Sequence, residues 1–293
     1  MRRYVALGDS LTEGIGDFAA DGRPRGWADR FAQGLATRRG EVEYANLAVR
    51  GLTTGQVLAT QLRPAVALAP DLASVIVGMN DLLRPRFDVA VLRRDLGTIY
   101  GELAATGATV LTATLPEPGI GVPLPAKMRA SFARRGRRLN DAIRHAAAEH
   151  GVRCLDLARS TPTDPAIWSS DKLHPSPYGH QLIADEFLAF LHGLPSGVDG
   201  STREKAPVAG PIEQLRWVAG HVGPWLWRRL TSRPAGEGVS AKLPACSSSL
   251  PEAPASQSLE KSRARFRGAC ELAGEPTRRP GPEGLCSRVE SAS

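Results

Sequence analysis

The chain has 293 residues, is 42% hydrophobic, and carries 37 Lys+Arg against 30 Asp+Glu for a net charge of +7. That length suits one large domain with appendages, and with no run of about 18 apolar residues no transmembrane helix is predicted. The charge is thinly spread, 23 basic against 21 acidic residues over 1–200, so the basic balance lends little support to nucleic-acid binding.

Arg2 and Arg3 precede only four uncharged residues, Tyr4 to Leu7, before Gly8 and Asp9. This is too short for the apolar part of a signal peptide, and a cytoplasmic location is expected. The run Tyr4–Gly8 reads instead as a short buried strand closed by a turn signal. Ser10 just behind it is open to two readings, a helix N-cap or a nucleophile raised at the edge of a parallel sheet. A helical pattern over 27–38 comes next, with Trp27 as a core anchor, and then a strand over 42–47. A helix over 54–68, a strand over 72–78, a helix over 88–105 and a strand over 108–112 succeed it. The loop 115–125, "LPEPGIGVPLP", is held extended by its prolines and is either a pocket wall or a plain connector. A helix over 127–149 leads to a strand over 152–155, in which Cys154 is a small buried hydrophobe. In that helix Arg134-Arg135-Gly136-Arg137-Arg138 has no interleaved aromatics and reads as a solvated face. The last helix, 177–192, opens with Ser176 as N-cap and Pro177 at its first position. Strands alternating with helices in this way give a parallel sheet covered on both faces.

After Leu194 the character changes. Residues 195–210 read as a linker and 211–232 as a Trp/Arg-rich amphipathic segment holding three of the five tryptophans. That segment has three readings: docking on the main domain, peripheral membrane contact, or partner binding. Residues 233–293 contain 32 Ser, Pro, Gly or Ala in 61 and are expected to be a disordered tail, dispensable for catalysis. The four cysteines show no CxxC spacing, so no zinc site is expected.

Four blocks fall at the carboxyl ends of the strands or just beyond, and one folded sheet would bring them to a single rim. They are Gly8-Asp9-Ser10-Leu11, Asn46-Leu47-Ala48-Val49-Arg50-Gly51, Gly78-Met79-Asn80-Asp81 and Asp171-Lys172-Leu173-His174-Pro175. A serine hydroxyl needs a base to take its proton. His174 alone among the six histidines follows a strand closely and sits three residues after an acid. At that spacing Asp171 can accept from His174 Nδ1–H and leave Nε2 to face Ser10. The Ser10 and Gly51 amides and the Asn80 side chain could supply oxyanion donors. Asp9 is expected to bond amides of its own turn, and Asp81 to cap the segment after it. His180 reads as a surface or packing histidine, and His145 and His150 as structural. Asp9, Asp81 and Lys172 also suggest a receiver-like site, but such a site needs paired acids after the first strand.

Taken together, the blocks resemble those of the SGNH hydrolases, also called GDSL esterases and lipases. The name lists four residues, here Ser10, Gly51, Asn80 and His174, and the likeness covers residues 4 to about 192. It implies a flavodoxin-like three-layer α/β/α sandwich with a five-stranded parallel sheet in the order 2-1-3-4-5. It further implies Ser10 as nucleophile, His174 as base, Asp171 as its orienter, and an oxyanion hole from Ser10, Gly51 and Asn80. Met79 stands where the family usually has a small residue, a departure expected to affect packing only. The expectation is a serine ester hydrolase, acting on small-molecule carboxylic esters or thioesters, with no metal or cofactor. The competing class is a catalytically idle binding module on the same fold, which would have no need of the complete set.

Overall fold

The computed structural model describes residues 2–116, 126–160, 164–194 and 239–248. The apolar run at the amino terminus becomes β1 (Arg3–Gly8), buried from Tyr4 onward. It pairs in parallel with β2 (Glu43–Asn46) on one side and β3 (Leu72–Ile76) on the other. Beyond β3 come β4 (Thr109–Ala113) and β5 (Arg153–Leu155), also parallel. The order 2-1-3-4-5 is therefore as expected, and it puts β1 inside the sheet, between β2 and β3.

One strand differs from expectation. β6 (Leu243–Ser247) lies antiparallel against the outer edge of β2, making the order β5-β4-β3-β1-β2-β6. This corrects the reading of 233–293 as uniformly disordered, for the stretch 239–248. An edge strand needs one neighbour rather than its own core, and here Leu243 and Cys246 pack against the core already built. Such a strand leaves little trace in composition, which averages it with its polar surroundings. The linker 195–210, the segment 211–232 and the rest of the tail lie outside the described residues, as does most of the loop 115–125.

Helices cover both faces of the sheet. α2 (Gly26–Arg39) packs on α9 (Pro177–Leu191), and α6 (Val89–Ala105) packs on α7 (Ala126–Glu149). Aromatic rings seal the first pair: Trp27 stacks on Phe187 at 4.6 Å, and Phe31 meets Tyr4 edge-on at 5.1 Å. The helix expected over 54–68 divides into α3 (Thr54–Thr60) and α4 (Leu62–Ala67). Pro64 has no N–H to give the Thr60 carbonyl, so the ladder breaks between them. The break frees Gln61, whose side chain bonds both Gly8 N–H (2.8 Å) and Gly8 C=O (2.9 Å) at the end of β1. The one-turn α8 (Leu157–Ser160) follows β5 and is tied to the end of β4, where Thr114 Oγ1 accepts from Ala158 N at 3.0 Å. Ser176 caps α9 as expected, accepting from Gly179 N at 3.2 Å. The basic run of α7 is mostly exposed, but Arg135 turns inward and donates to the carbonyls of Leu82, Arg84 and Pro85. Among the described residues no helix is long and apolar enough to cross a membrane.

Candidate active site

The first block is shaped by a close approach of two strands. Gly8 has φ +150°, and a Cβ there would lie 2.2 Å from the Ile76 carbonyl oxygen, so only glycine fits. The chain then turns into the one-turn helix α1 (Ser10–Glu13), whose N-cap is Asp9: its carboxylate accepts from Leu11 N at 3.2 Å. Of the two readings of Ser10, the cap role thus belongs to its neighbour. As the first residue of α1, Ser10 has no intrahelical acceptor for its own N–H.

Ser10 Oγ lies 2.8 Å from His174 Nε2, and His174 Nδ1 lies 2.6 Å from Asp171 Oδ2. The three side chains, with Ser10 and His174 164 positions apart in sequence, form one hydrogen-bonded line. Asp171 is held by its own turn: Oδ1 accepts from Ser169 Oγ (2.7 Å), Leu173 N (2.9 Å) and His174 N (2.9 Å). Lys172 adopts φ +56°, the left-handed bend in the turn that brings His174 back over Asp171. Partial burial would raise the Asp171 carboxyl, but the hydrogen bonds and charge of His174 outweigh it and hold the group well below the usual carboxylate range. Gly16 supports this turn from below, since a Cβ there would lie 2.1 Å from the Pro175 carbonyl oxygen.

The second and third blocks meet the first through side-chain amides. Asn80, at the start of α5 (Met79–Leu82), donates from Nδ2 to Asp9 Oδ2 at 3.0 Å and to the Leu52 carbonyl at 3.1 Å. One amide therefore ties the residue before Ser10 to the residue after Gly51. Asn46 donates to the Thr12 carbonyl at 2.9 Å, tying the end of β2 to α1. Gly51 sits in the loop beyond β2, at φ +80°. Asp81 corrects the expectation for it: rather than capping its own segment, it accepts from Thr54 N (2.9 Å) and Thr54 Oγ1 (3.1 Å) at the start of α3. Met79 packs against the core.

Burial sets the electrostatics. Asp9 is 3% exposed, and burial pushes its carboxyl up to about 7 despite the bonds from Leu11 N–H and Asn80 and the nearby His174. His180 is wholly buried and is a packing histidine. Its Nδ1 accepts from Trp27 N and its Nε2 donates to the Ile15 carbonyl, both at 3.0 Å. Burial pushes it down to about 4, so it stays neutral. His145 donates from Nδ1 to the Asp141 carbonyl within α7. Among the described residues no group of three or more His, Cys, Asp or Glu could hold a metal ion.

Sequence reasoning missed the braces around the site. Glu13, 4% exposed in its side chain, accepts from Arg50 N (2.7 Å) and Arg50 Nη2 (2.5 Å), locking α1 to the Gly51 loop. Gln61 and Gly16 were also missed. Glu13 and Arg50 each sit within three residues of a motif residue, which was the available signal; Gln61 offered none, because its role depends on the break at Pro64.

Residues 6–182 match the model of the GDSL-like Lipase/Acylhydrolase family. A GDSL-like esterase of Mycobacterium tuberculosis is 29% identical over 208 residues, which is 67% of this chain and 63% of that protein. The match thus spans less than two thirds of that relative's length. In fold the chain is similar to a lipase/acylhydrolase from Enterococcus faecalis, with TM-score 0.53 at 24% identity over 66% of this chain and 96% of the other. It is also similar to an α/β hydrolase enzyme from the metagenome of Lake Arreo, with TM-score 0.55 at 22% identity over 67% and 97%.

Proposed function

The chain belongs to the GDSL-like lipase/acylhydrolase family, and from that premise we propose that it is a serine ester hydrolase working through an acyl-enzyme on Ser10. The observation that carries this reading is the line Asp171–His174–Ser10, with both contacts at hydrogen-bond distance. In the proposed reaction Ser10 Oγ attacks the ester carbonyl carbon while His174 Nε2 takes the hydroxyl proton. Asp171 holds Nδ1–H, fixing the tautomer and stabilising the imidazolium that forms. The Ser10 and Gly51 amides and Asn80 stabilise the oxyanion; losing one such donor typically costs about 100- to 1,000-fold. Collapse expels the alcohol, which takes the proton from His174. Water, deprotonated by the same nitrogen, then attacks the acyl carbonyl and releases the acid and free Ser10.

The Asn80 amide adds a condition to this scheme. Both its hydrogens have acceptors in the resting site, Asp9 Oδ2 and the Leu52 carbonyl. It serves the oxyanion by sharing or exchanging one of them. A carboxylic ester of a small molecule is the proposed substrate class. Rates across p-nitrophenyl esters from acetyl to palmitoyl, set beside acyl-thioesters, define the acyl length and the leaving group.

The nucleophile is tested directly with a fluorophosphonate probe, which phosphonylates an activated serine. Wild-type protein labels and the Ser10→Ala variant does not; equal labelling of the two would remove Ser10 from the role.

A further inference from the structure

The sixth strand carries a lysine into the underside of the site. Lys242 lies immediately before β6, beyond residue 182 where the family match ends. Its side chain is 14% exposed and its ammonium has four acceptors. Nζ donates to the Glu13 carbonyl at 2.8 Å, the Arg25 carbonyl at 2.5 Å, the Pro24 carbonyl at 3.2 Å, and Asp29 Oδ2 at 2.5 Å. Three of these are backbone oxygens from two turns of the chain, so the ammonium joins the end of α1 to the entrance of α2. Burial costs a charge heavily unless it is fully bonded, and this cage supplies the bonds.

The connection to the catalytic geometry is short. Glu13 is the last residue of α1, three after Ser10, and a cation at a helix C-terminus is favourably placed. The Glu13 carboxylate in turn holds Arg50 N and the Arg50 guanidinium, and Arg50 precedes Gly51. The strand that delivers Lys242 pairs Leu243 with Asn46, the residue that opens the Gly51 loop and also bonds the Thr12 carbonyl. Lys242 and β6 therefore grip both walls of the corner where Ser10 and Gly51 present their amides. We propose that Lys242 is a positioning residue for that corner, so that residues 242–247 are a working part of the hydrolase and not an appendage. The inference rests on the reading of Ser10 as the nucleophile.

Asp29 shows how the arrangement is balanced. Its side chain is 1% exposed, and burial pushes the carboxyl up to about 6 even with Lys242 beside it. Removing the ammonium alone leaves that acid buried and unpaired, a loss of stability with no bearing on mechanism. The test must separate the two effects. In the full-length protein, Lys242→Met is compared with Lys242→Met/Asp29→Asn, which is neutral in the cage. Each is measured for thermal midpoint, fluorophosphonate labelling rate, and kcat and KM on p-nitrophenyl butyrate, well below the midpoint.

The single variant is expected to lower the midpoint by about 10 °C. Its labelling rate and kcat should fall about tenfold with KM within about twofold, since small misplacements of reacting groups act on the chemical step. The double variant should regain most of the midpoint but not the rate, because the Glu13 carbonyl still lacks its cation. A double variant that regains both, or a single variant that labels at the wild-type rate, would overturn the positioning role. Ser10→Ala is run alongside. If it labels like wild type, the reading of Ser10 fails; if it is inert while Lys242→Met is normal, only the role of Lys242 fails.

Discussion

The two halves of the proposed catalytic line are built in different ways. Ser10 stands on the short helix that follows β1, an inner strand of the sheet, and is braced by residues from all around it: Gln61 on Gly8, Asn80 on Asp9, Asn46 on Thr12, and Arg50 and Lys242 on Glu13. His174 and Asp171 stand on a turn beyond the last parallel strand, about a quarter exposed, and nearly all their bonds are to residues 169–174. The first half is an outgrowth of the core. The second is a small folded unit that touches the first at Ser10 and leans on Gly16. The difference says where activity and stability are coupled: tightly around the serine, loosely around the histidine.

The sharpest way to test that division is to remove the histidine. His174→Ala takes away the proposed base and leaves Asp171 with its three local donors, Ser169 Oγ and the backbone N–H groups of residues 173 and 174, so the turn is expected to keep its shape. Activity on p-nitrophenyl esters should fall about 10,000-fold or more, as losing a triad base does elsewhere, while the thermal midpoint stays within about 3 °C. A midpoint that drops with the activity would mean the turn depends on the histidine and is not a unit of its own.

The contact between the halves comes next. Gly16→Ala would place a methyl 2.1 Å from the Pro175 carbonyl oxygen, at a backbone φ of +99°. The turn must move away from α1, taking His174 with it. Because an ångström of misplacement costs about 100-fold, kcat should fall by about that factor with KM little changed. Assays at 10 °C, far below the midpoint, separate this from the accompanying destabilisation. A variant with normal kcat at that temperature would show that the turn can adjust independently of its seat.

Legibility in the sequence divides along the same line. The strands and the residues of all four blocks could be read because each is a local signal: an apolar run, a turn glycine, an acid three before a histidine. The strand order followed only from the family resemblance of the blocks taken together. The braces could not. Gln61, Glu13 and Lys242 act through contacts 53, 37 and 229 positions away in sequence, on carbonyls and amides that every residue possesses. No periodicity marks a side chain that bonds a distant backbone. Asp81 was misread for the same reason: its partner, Thr54, is 27 residues away. β6 was missed because an edge strand of five residues, borne on a Ser/Pro/Gly/Ala-rich tail, borrows its apolar face from a core built elsewhere.

The smallest expected effect is in the pH dependence of stability on the serine side, and it concerns Asp9. Its carboxyl is held up to about 7 by burial, against an ordinary value of 3.8. Between those values the folded protein keeps a proton that the unfolded chain has released, so stability falls as pH rises through this window and levels off above it. Each unit of such a shift is worth about 1.4 kcal/mol at most, which puts the whole contribution at a few kcal/mol. Asn at this position has no proton to lose, though it gives up one of the acceptors for Leu11 N–H or Asn80. The midpoint of Asp9→Asn minus that of wild type should therefore climb from pH 4 to pH 7 and then stay flat, whatever its sign at pH 4. Asp29, pushed up to about 6, contributes in the same direction, and His180, pushed down to about 4, in the opposite one. Both are present in the two proteins and cancel in the difference. Thermal scans at half-unit steps from pH 4 to pH 8.5 measure the gap directly. A gap independent of pH would mean that Asp9 is ionised throughout, with Asn80 and the Leu11 amide outweighing burial; the serine side would then carry a buried negative charge next to the oxyanion it is proposed to stabilise.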